Sequence, residues 1–354
     1  GIYIIKLKGQ SRTTIDAHIA VVESLFKGRS NENKIKDVYR SLGNLYSAEL
    51  SKDVMNQVKA MDDVEYVEAD KEVKALAVQS NAPWGLARLS QRAKLNTTKN
   101  YSYEADGAGV SVYVVDTGIF INHPEFEGRA RFGARFAGNN DNDENGHGTH
   151  CAGTIGSKTY GVAKKATLVA VRVLDKSGSG TTSGVVGGIN WVASDKKGTK
   201  GNVLSMSLGG GKSQALNDAV KAVTGKGVVV VVAAGNENQD ACKVSPASEP
   251  SAITVAAMDV NDARASFSNW GKCVDVFGPG VNVLSTWNNG KTNTISGTSM
   301  ATPHVAGLAA YFLSQKTESV SAISKKIINL ASKNIISNPG NGTPNLNAFN
   351  GNAK

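Results

Sequence analysis

Five short runs restrict the fold of this chain more than anything else in it: VSVYVVD at 110–116, ATLVAVRVL at 166–174, NVLSMSL at 202–208, VVVVVAA at 228–234 and ITVAAM at 253–258. Each is a nearly unbroken apolar stretch rich in β-branched residues, and strands of that character are buried on both faces. Helical segments alternate with them, which predicts an α/β domain: a mostly parallel sheet covered by helices on each side, in three layers. In such sheets ligands collect beyond the carboxyl ends of the strands. The residues that follow each run are therefore the ones to read for chemistry.

The N-terminal part has a different pattern. IYIIKL at 2–7 predicts a strand, Ile15, Ile19, Val22 and Phe26 share one helix face, a second helix covers about 51–60, and VEYVEAD at 64–70 predicts another strand. This small α+β unit is assigned to residues 1–73. KEVKALAVQSNAPWG lacks a helical period and runs to a proline, so 74–82 is read as a linker and 83–354 as the α/β domain. The chain opens abruptly on strand-like GIYIIKLKG, as if a leader had been removed upstream of Gly1.

Composition narrows the class. No apolar run approaches the ~18 residues of a membrane span, so insertion into a bilayer is not expected. The net charge is +9, but the 39 Lys and Arg are scattered and aromatics make up 6% of the chain, which points to a solvated basic surface and not to nucleic acid. Three cysteines are too few for a disulfide scaffold and leave one unpaired. N-x-S/T sequons at Asn96, Asn100 and Asn341 are glycosylation sites only if the chain enters a secretory route.

Four residues at strand ends or helix starts carry chemistry. Asp116 ends a buried strand, where an acid is costly unless hydrogen-bonded; a cap on the Thr117-Gly118 turn would also satisfy it. His147, in NGHGTHCAGTI, sits between two glycines that allow another chain close to the imidazole. Asn236 follows the most apolar strand and offers an amide that can donate to an oxyanion or close a turn. Ser299, in SGTSMATPHVAGLAAYF, precedes an apolar helix whose first turn is expected to hold Pro303. A serine there is usually an N-cap. Serine attack on a carbonyl, however, needs a base, a carboxylate to orient it and donors for the oxyanion, and His147, Asp116, Asn236 and the Ser299 N–H supply that set.

DTGI at 116–119, HGTHCAGTI at 147–155, SLGGG at 207–211, AAGNEN at 233–238 and GTSMATPHVAG at 297–307 closely resemble the subtilisin-like serine proteases of the proteinase K-like branch, in the chain order Asp, His, Ser. Residues 1 to about 75 resemble the inhibitory propeptide of that family. NAPWGLARLS at 81–90, NENQDAC at 236–242 and SNWGKCVDVFGPG at 268–280 resemble fungal vacuolar protease B (cerevisin) and its paralogues. The resemblance implies a subtilisin-like domain preceded by a ferredoxin-like propeptide, a zymogen of a broad endopeptidase, with Ser299 as nucleophile, His147 as base, Asp116 orienting it, and Asn236 with the Ser299 N–H as oxyanion hole. It further implies that Gly178, Ser179 and Gly180 face Ser207, Leu208 and Gly209 across a substrate strand. Small residues there and at Ala233, Ala234 and Gly235 imply a roomy, uncharged P1 pocket for apolar or aromatic side chains. Autocleavage is expected between Lys74 and Ser80.

The resemblance implies no catalytic cofactor, but a structural calcium ion held by Asp275 and the carbonyls of Pro250 and Ala252. The partners implied are polypeptide substrates and the chain's own propeptide, in a monomer that follows the secretory route to a vacuole in preference to the medium. Cys151 is one helical turn from His147 and reads as a free thiol. Cys242 and Cys273 remain, either bridged or as two reduced buried thiols.

Competing signals are weaker. DNDENG at 141–146 imitates an EF-hand loop but places Ala152 where a bidentate glutamate is required. SGSGTTSG at 177–184 misplaces the third glycine of a dinucleotide loop. His147, His150 and Cys151 lack a nearby fourth zinc ligand, and His150, His304 and His123 read as structural. An esterase of the α/β-hydrolase type needs G-x-S-x-G, and residue 301 is alanine. The alternative from another class is a silent binding protein with its propeptide still docked.

Overall fold

The computed structural model describes residues 1–9, 12–26, 32–42, 44–70, 77–95 and 99–352. Asn96 and the Lys74–Leu76 part of the expected processing segment lie outside the described residues. The chain divides into two compact units, Gly1–Ala75 and Leu76–Lys354.

The first unit runs β1 (Ile2–Leu7), α1 (Arg12–Ser24), β2 (Lys34–Val38), β3 (Leu45–Glu49), α2 (Lys52–Lys59) and β4 (Val64–Ala69). Its antiparallel sheet has the order β2-β3-β1-β4, the split βαβ arrangement of ferredoxin-like folds. Ile5, Leu7, Val22, Tyr46, Val54 and Val58 form its core. Ser51 caps α2 by accepting the Val54 N–H. β2 and β3 have no counterpart in the sequence reading. KIKDV lies at the sheet edge and buries no residue fully, so it lacks the alternation that reveals a strand.

The second unit begins with β5 (Ala77–Gln79), α3 (Trp84–Leu89) and β6 (Tyr101–Tyr103). β5 pairs antiparallel with β6, so Ala77–Gln79, read as linker, form a strand of this unit. There follow β7 (Val110–Asp116), β8 (Ala130–Arg135), α4 (His147–Gly156), β9 (Thr167–Arg172), α5 (Thr182–Asp195), β10 (Gly201–Met206), β11 (Gly210–Gly211), α6 (Gln214–Gly225), β12 (Val228–Ala233), β13 (Val244–Ser245), β14 (Ile253–Met258), β15 (Val276–Pro279), β16 (Val283–Thr286), β17 (Thr292–Ile295), α7 (Thr298–Gln315), α8 (Val320–Leu330), β18 (Ser332–Lys333) and β19 (Leu346–Asn347). A nine-stranded sheet has the order β18-β19-β15-β14-β12-β10-β7-β9-β8, parallel except for β18 with β19.

The apolar runs have the physical cause expected of them. Val112, Val114, Val203, Val229 and Val231 pack against Ile155 of α4 and Val305 and Leu308 of α7. Their chain neighbours Tyr113, Val115, Leu204, Val230 and Val232 face the other way, onto Ile189 of α5 and Val220 of α6. Because successive side chains alternate between faces, a strand with a helix layer on each side must be apolar at every position.

Three helix ends share a device: Lys196, Lys226 and Lys316 are the C-caps of α5, α6 and α7. A further lysine is buried. Lys164 donates its ammonium to the carbonyls of Lys158 (3.0 Å), Thr159 (3.5 Å) and Gly161 (2.9 Å) and lies near the Tyr101 and Tyr103 rings. Burial pulls its pKa down to about 8, which leaves it charged at neutral pH.

Candidate active site

Asp116 closes β7 with its carboxylate buried. Oδ1 accepts from the Thr117 N–H at 2.7 Å and from Nδ1 of His147 at 2.7 Å, while Oδ2 has no hydrogen-bond partner among the described residues. His147 is the first residue of α4, and its side chain is 25% exposed, leaving Nε2 as the ring nitrogen not engaged by the protein among the described residues. Burial alone would lower the imidazole pKa. The charge and hydrogen bond of Asp116, joined by the charge of Asp143, outweigh burial and hold it above the ordinary value.

The glycines beside His147 answer to packing within the protein, not to an approaching ligand as their sequence suggests. Gly146 has φ 107°, and a Cβ there would lie 2.4 Å from the Trp287 ring. A Cβ on Gly148 would lie 2.1 Å from the Gly118 carbonyl.

Ser299 is the second residue of α7. Its Oγ donates to the Ser207 carbonyl at 3.1 Å, and the Ser207 hydroxyl donates back to the Ser299 carbonyl at 2.8 Å. Pro303 explains why that carbonyl is available. It lies inside α7 and not in its first turn, contrary to expectation, and it has no N–H to give the carbonyl four residues back. Ser207 and the Cys151 thiol, at 3.4 Å, take that role. Cys151 is fully buried, and burial raises its pKa well above the usual thiol value. No hydrogen bond joins Ser299 to His147 in this arrangement.

Asn236 follows β12. Its Oδ1 accepts from the N–H and the hydroxyl of Thr298, at 2.8 and 2.9 Å, which fixes the amide and leaves Nδ2 as an unused donor among the described residues. Asn269, fully buried, braces this loop: Nδ2 donates to the Ala234 carbonyl and Glu237, and Oδ1 accepts from the Glu237 and Gln239 N–H groups. Asp116, Ser207 and Asn236 thus lie at or just past the carboxyl ends of β7, β10 and β12, where sheets of this kind bind ligands.

A cleft of about 620 Å³ is lined by His147, by Gly178, Ser179 and Gly180, and by Ser207, Leu208 and Gly209, so both expected substrate edges border one space. An adjoining pocket of about 310 Å³ is lined by Ala233, Gly235, Asn236, Thr298 and Ser299, and also by Glu237 and Lys243. Two expectations are corrected there. The pocket is not uncharged, because Glu237 and Lys243 enter its lining from the loop that follows the small residues. Ala234 is buried behind it, its N–H donating to the Val255 carbonyl and its own carbonyl accepting from Asn269 Nδ2.

Cys242 and Cys273 form a disulfide with Cα atoms 5.3 Å apart. Two residues on, Asp275 is a largely buried carboxylate that accepts the Thr254 N–H at 2.8 Å, and burial pushes its pKa up to about 6. A carboxylate with so little compensation, bonded to Thr254 two residues after Ala252, is a hard oxygen donor that fits a calcium ion. The acidic loop 141–144 does not offer a rival site. Asp141 pairs with Arg135 and Glu144 with Arg172, while Asp143 is saturated by hydrogen bonds. His150 donates to the Val283 carbonyl, His304 to that of Met300 and His123 to that of Lys291, so all three have structural partners. Burial lowers the pKa of His150 and of His304 to about 4. Of the sequons described, Asn341 is exposed and Asn100 partly so.

Residues 107–351 match the family model described as the subtilase family, and residues 2–76 match peptidase inhibitor I9. The chain belongs to the subtilase family. This subtilase is 48% identical to a cuticle-degrading protease of Metarhizium anisopliae, over 99% of its own length and 89% of that protein's. It is 47% identical to an alkaline serine protease of Corniculantispora psalliotae, over 99% and 90%. A crystal structure of a cold-adapted subtilisin-like serine proteinase superposes with a TM-score of 0.74 at 49% identity, covering 77% of this chain and 99% of that one. The protein is therefore a subtilisin-like serine endopeptidase with an inhibitor-type propeptide. The relatives are fungal cuticle-degrading and alkaline proteases and not specifically vacuolar protease B. They also overturn the vacuolar placement, because proteases so named favour an extracellular site of action.

Proposed function

We propose that this subtilase is a self-activating zymogen in which Ser299 is the nucleophile, His147 the general base and then acid, and Asp116 the group that orients and stabilises the imidazole. The observation that carries the reading is the 2.7 Å bond from His147 Nδ1 to buried Asp116, which leaves Nε2 unengaged among the described residues beside a cleft that also holds Ser207, the hydrogen-bond partner of Ser299. In attack, Ser299 Oγ leaves the Ser207 carbonyl, gives its proton to Nε2 and bonds to the substrate carbonyl carbon. The oxyanion receives hydrogen bonds from Asn236 Nδ2 and the Ser299 N–H. As the C–N bond breaks, His147 returns the proton to the departing amine, and water reverses the sequence on the acyl-enzyme.

The cleft between residues 178–180 and 207–209 suits a substrate backbone added as a strand, which supports broad specificity. Leu208, Ala233 and Val244 in the smaller pocket favour apolar or aromatic P1 side chains, with Glu237 and Lys243 as its polar members. Asp275 with the carbonyls of Pro250 and Ala252 would hold a structural calcium ion that fastens two loops; chelation is expected to lower the melting temperature of the wild type and not that of Asp275→Asn.

Intact mass followed over time, for the full chain beside Ser299→Ala, tests the reading. Wild type is expected to split between residues 74 and 80 while the variant stays whole. If both stay intact and neither cleaves casein after trypsin nicks the linker, the chain is the silent, propeptide-bound binding protein instead.

A further inference from the structure

We propose that Asp143 is a positioning residue for the protease reaction: its carboxylate fastens the turn that follows Asp116 to the first turn of the helix that carries His147. The proposal rests on His147 being the general base. Asp143 is buried and pairs with no cation among the described residues. Its Oδ1 accepts from Oγ1 of Thr117 at 2.8 Å and from the N–H groups of Asn145 and Gly146 at 3.0 and 2.8 Å. Its Oδ2 accepts from the N–H and Oγ1 of Thr149, at 3.0 and 2.6 Å. The network extends one bond further, since Thr117 Oγ1 accepts from the Gly148 N–H and Thr149 Oγ1 from the Phe120 N–H, each at 2.9 Å.

A helix cap needs one or two such bonds, and here five donors converge on one carboxylate. What they join is informative. Asp116 ends β7 and His147 starts α4, so their 2.7 Å hydrogen bond depends on the register between two separate elements. Asp143 holds Thr117 on one side and Gly146 and Thr149 on the other, which brackets both members of that bond.

The carboxylate also acts through its charge. His147 is faced by Asp116 from β7, by Asp143 from the preceding loop, and by His150 and Cys151 of its own helix. His150 is held neutral by burial, with a pKa of about 4, and burial raises the Cys151 thiol, so the two aspartates are the charged members of this set. Asp143 adds to Asp116 in favouring the imidazolium that forms when Ser299 gives up its proton.

The test compares kcat, KM and the pH profile of kcat/KM on a short chromogenic peptide for wild type, Asp143→Asn and Glu144→Gln. Alongside, the His147 imidazole is titrated by NMR in Ser299→Ala with and without Asp143→Asn. Asp143→Asn keeps the size but loses the charge and turns an amide N–H toward other donors. Its kcat is expected to fall about 10²-fold, the cost of a small misplacement, with KM within about twofold. The acid limb and the imidazole titration should both move to lower pH, because less negative charge faces the imidazolium. Glu144→Gln, which breaks the neighbouring pair with Arg172, should leave the limb in place.

Wild-type kcat and an unmoved limb in Asp143→Asn would overturn the proposal, as would a lowered melting temperature with both unchanged. If wild type fails to cleave the peptide, the protease reading falls, while the imidazole titration still decides whether Asp143 acts on His147. If Asp143→Asn does not fold, Thr149→Val removes one donor and keeps the charge: a several-fold loss of kcat at an unmoved limb supports positioning, and unchanged kcat refutes it.

Discussion

His147 titrates against two aspartates, Asp116 and Asp143. Its pKa is raised above the ordinary imidazole value of ~6.5, and a general base works only when neutral. Activity should therefore be lost as pH falls, with the acid limb of kcat/KM lying above that ordinary value; a limb below it would contradict the pairing with Asp116. At Asn236 the expectation is a loss confined to kcat. Removing one oxyanion donor from subtilisin costs about 10²- to 10³-fold, and Asn236→Ala should fall in that range with KM little changed. Asp116, His147, Asn236 and Ser299 stand out in the sequence as candidates because polar groups at or shortly after the ends of apolar strands, or at a helix start, demand a reason. Asp143 and Asn269 were not, because their work consists of hydrogen bonds to backbone groups that meet only after folding. The charges of Glu237 and Lys243 escaped for a similar reason: the small residues read as the pocket wall say nothing of the loop that closes it.

The same division holds among the elements. The five core strands were legible because burial on both faces leaves no polar alternation, whereas β8 was not, since none of its residues is fully buried. Ala77–Gln79 read as linker because three residues are too few to show a period. Pro303 misled by a sound rule: proline is tolerated inside α7 only because Ser207 and Cys151 satisfy the carbonyl it leaves. The Cys242–Cys273 bridge closes a separation of 31 residues, and replacing both cysteines with serine should cost about 3 to 4 kcal/mol in denaturant unfolding under oxidising conditions. An unchanged midpoint would show that the bridge does not form. Lys226, which caps α6, faces the negative end of the helix dipole, so Lys226→Glu should destabilise by about 0.3 to 1 kcal/mol, shrinking with salt.

The molecule as a whole distributes its charge and its core unevenly. Residues 1–75 carry twelve Lys and Arg against twelve Asp and Glu, so the entire +9 resides in residues 76–354. The small unit rests on one modest core, and cores of that size rarely supply more than about 3 to 5 kcal/mol. Prepared alone, residues 1–75 should unfold at low urea by circular dichroism, well before residues 76–354; coincident midpoints would refute this. The large unit has the opposite problem, a nine-stranded, mostly parallel sheet of distant pairings, and topologies of that kind fold slowly.

Lys164 bears on the setting in which such a protein works. The loop at 158–161 is gathered around a cation, as metal-bound loops are, but the cation is covalently part of the chain. It is present once per molecule whatever the dilution, and no chelator can strip it. A loop built in this way keeps its cation in any medium, whatever the mineral content of that medium.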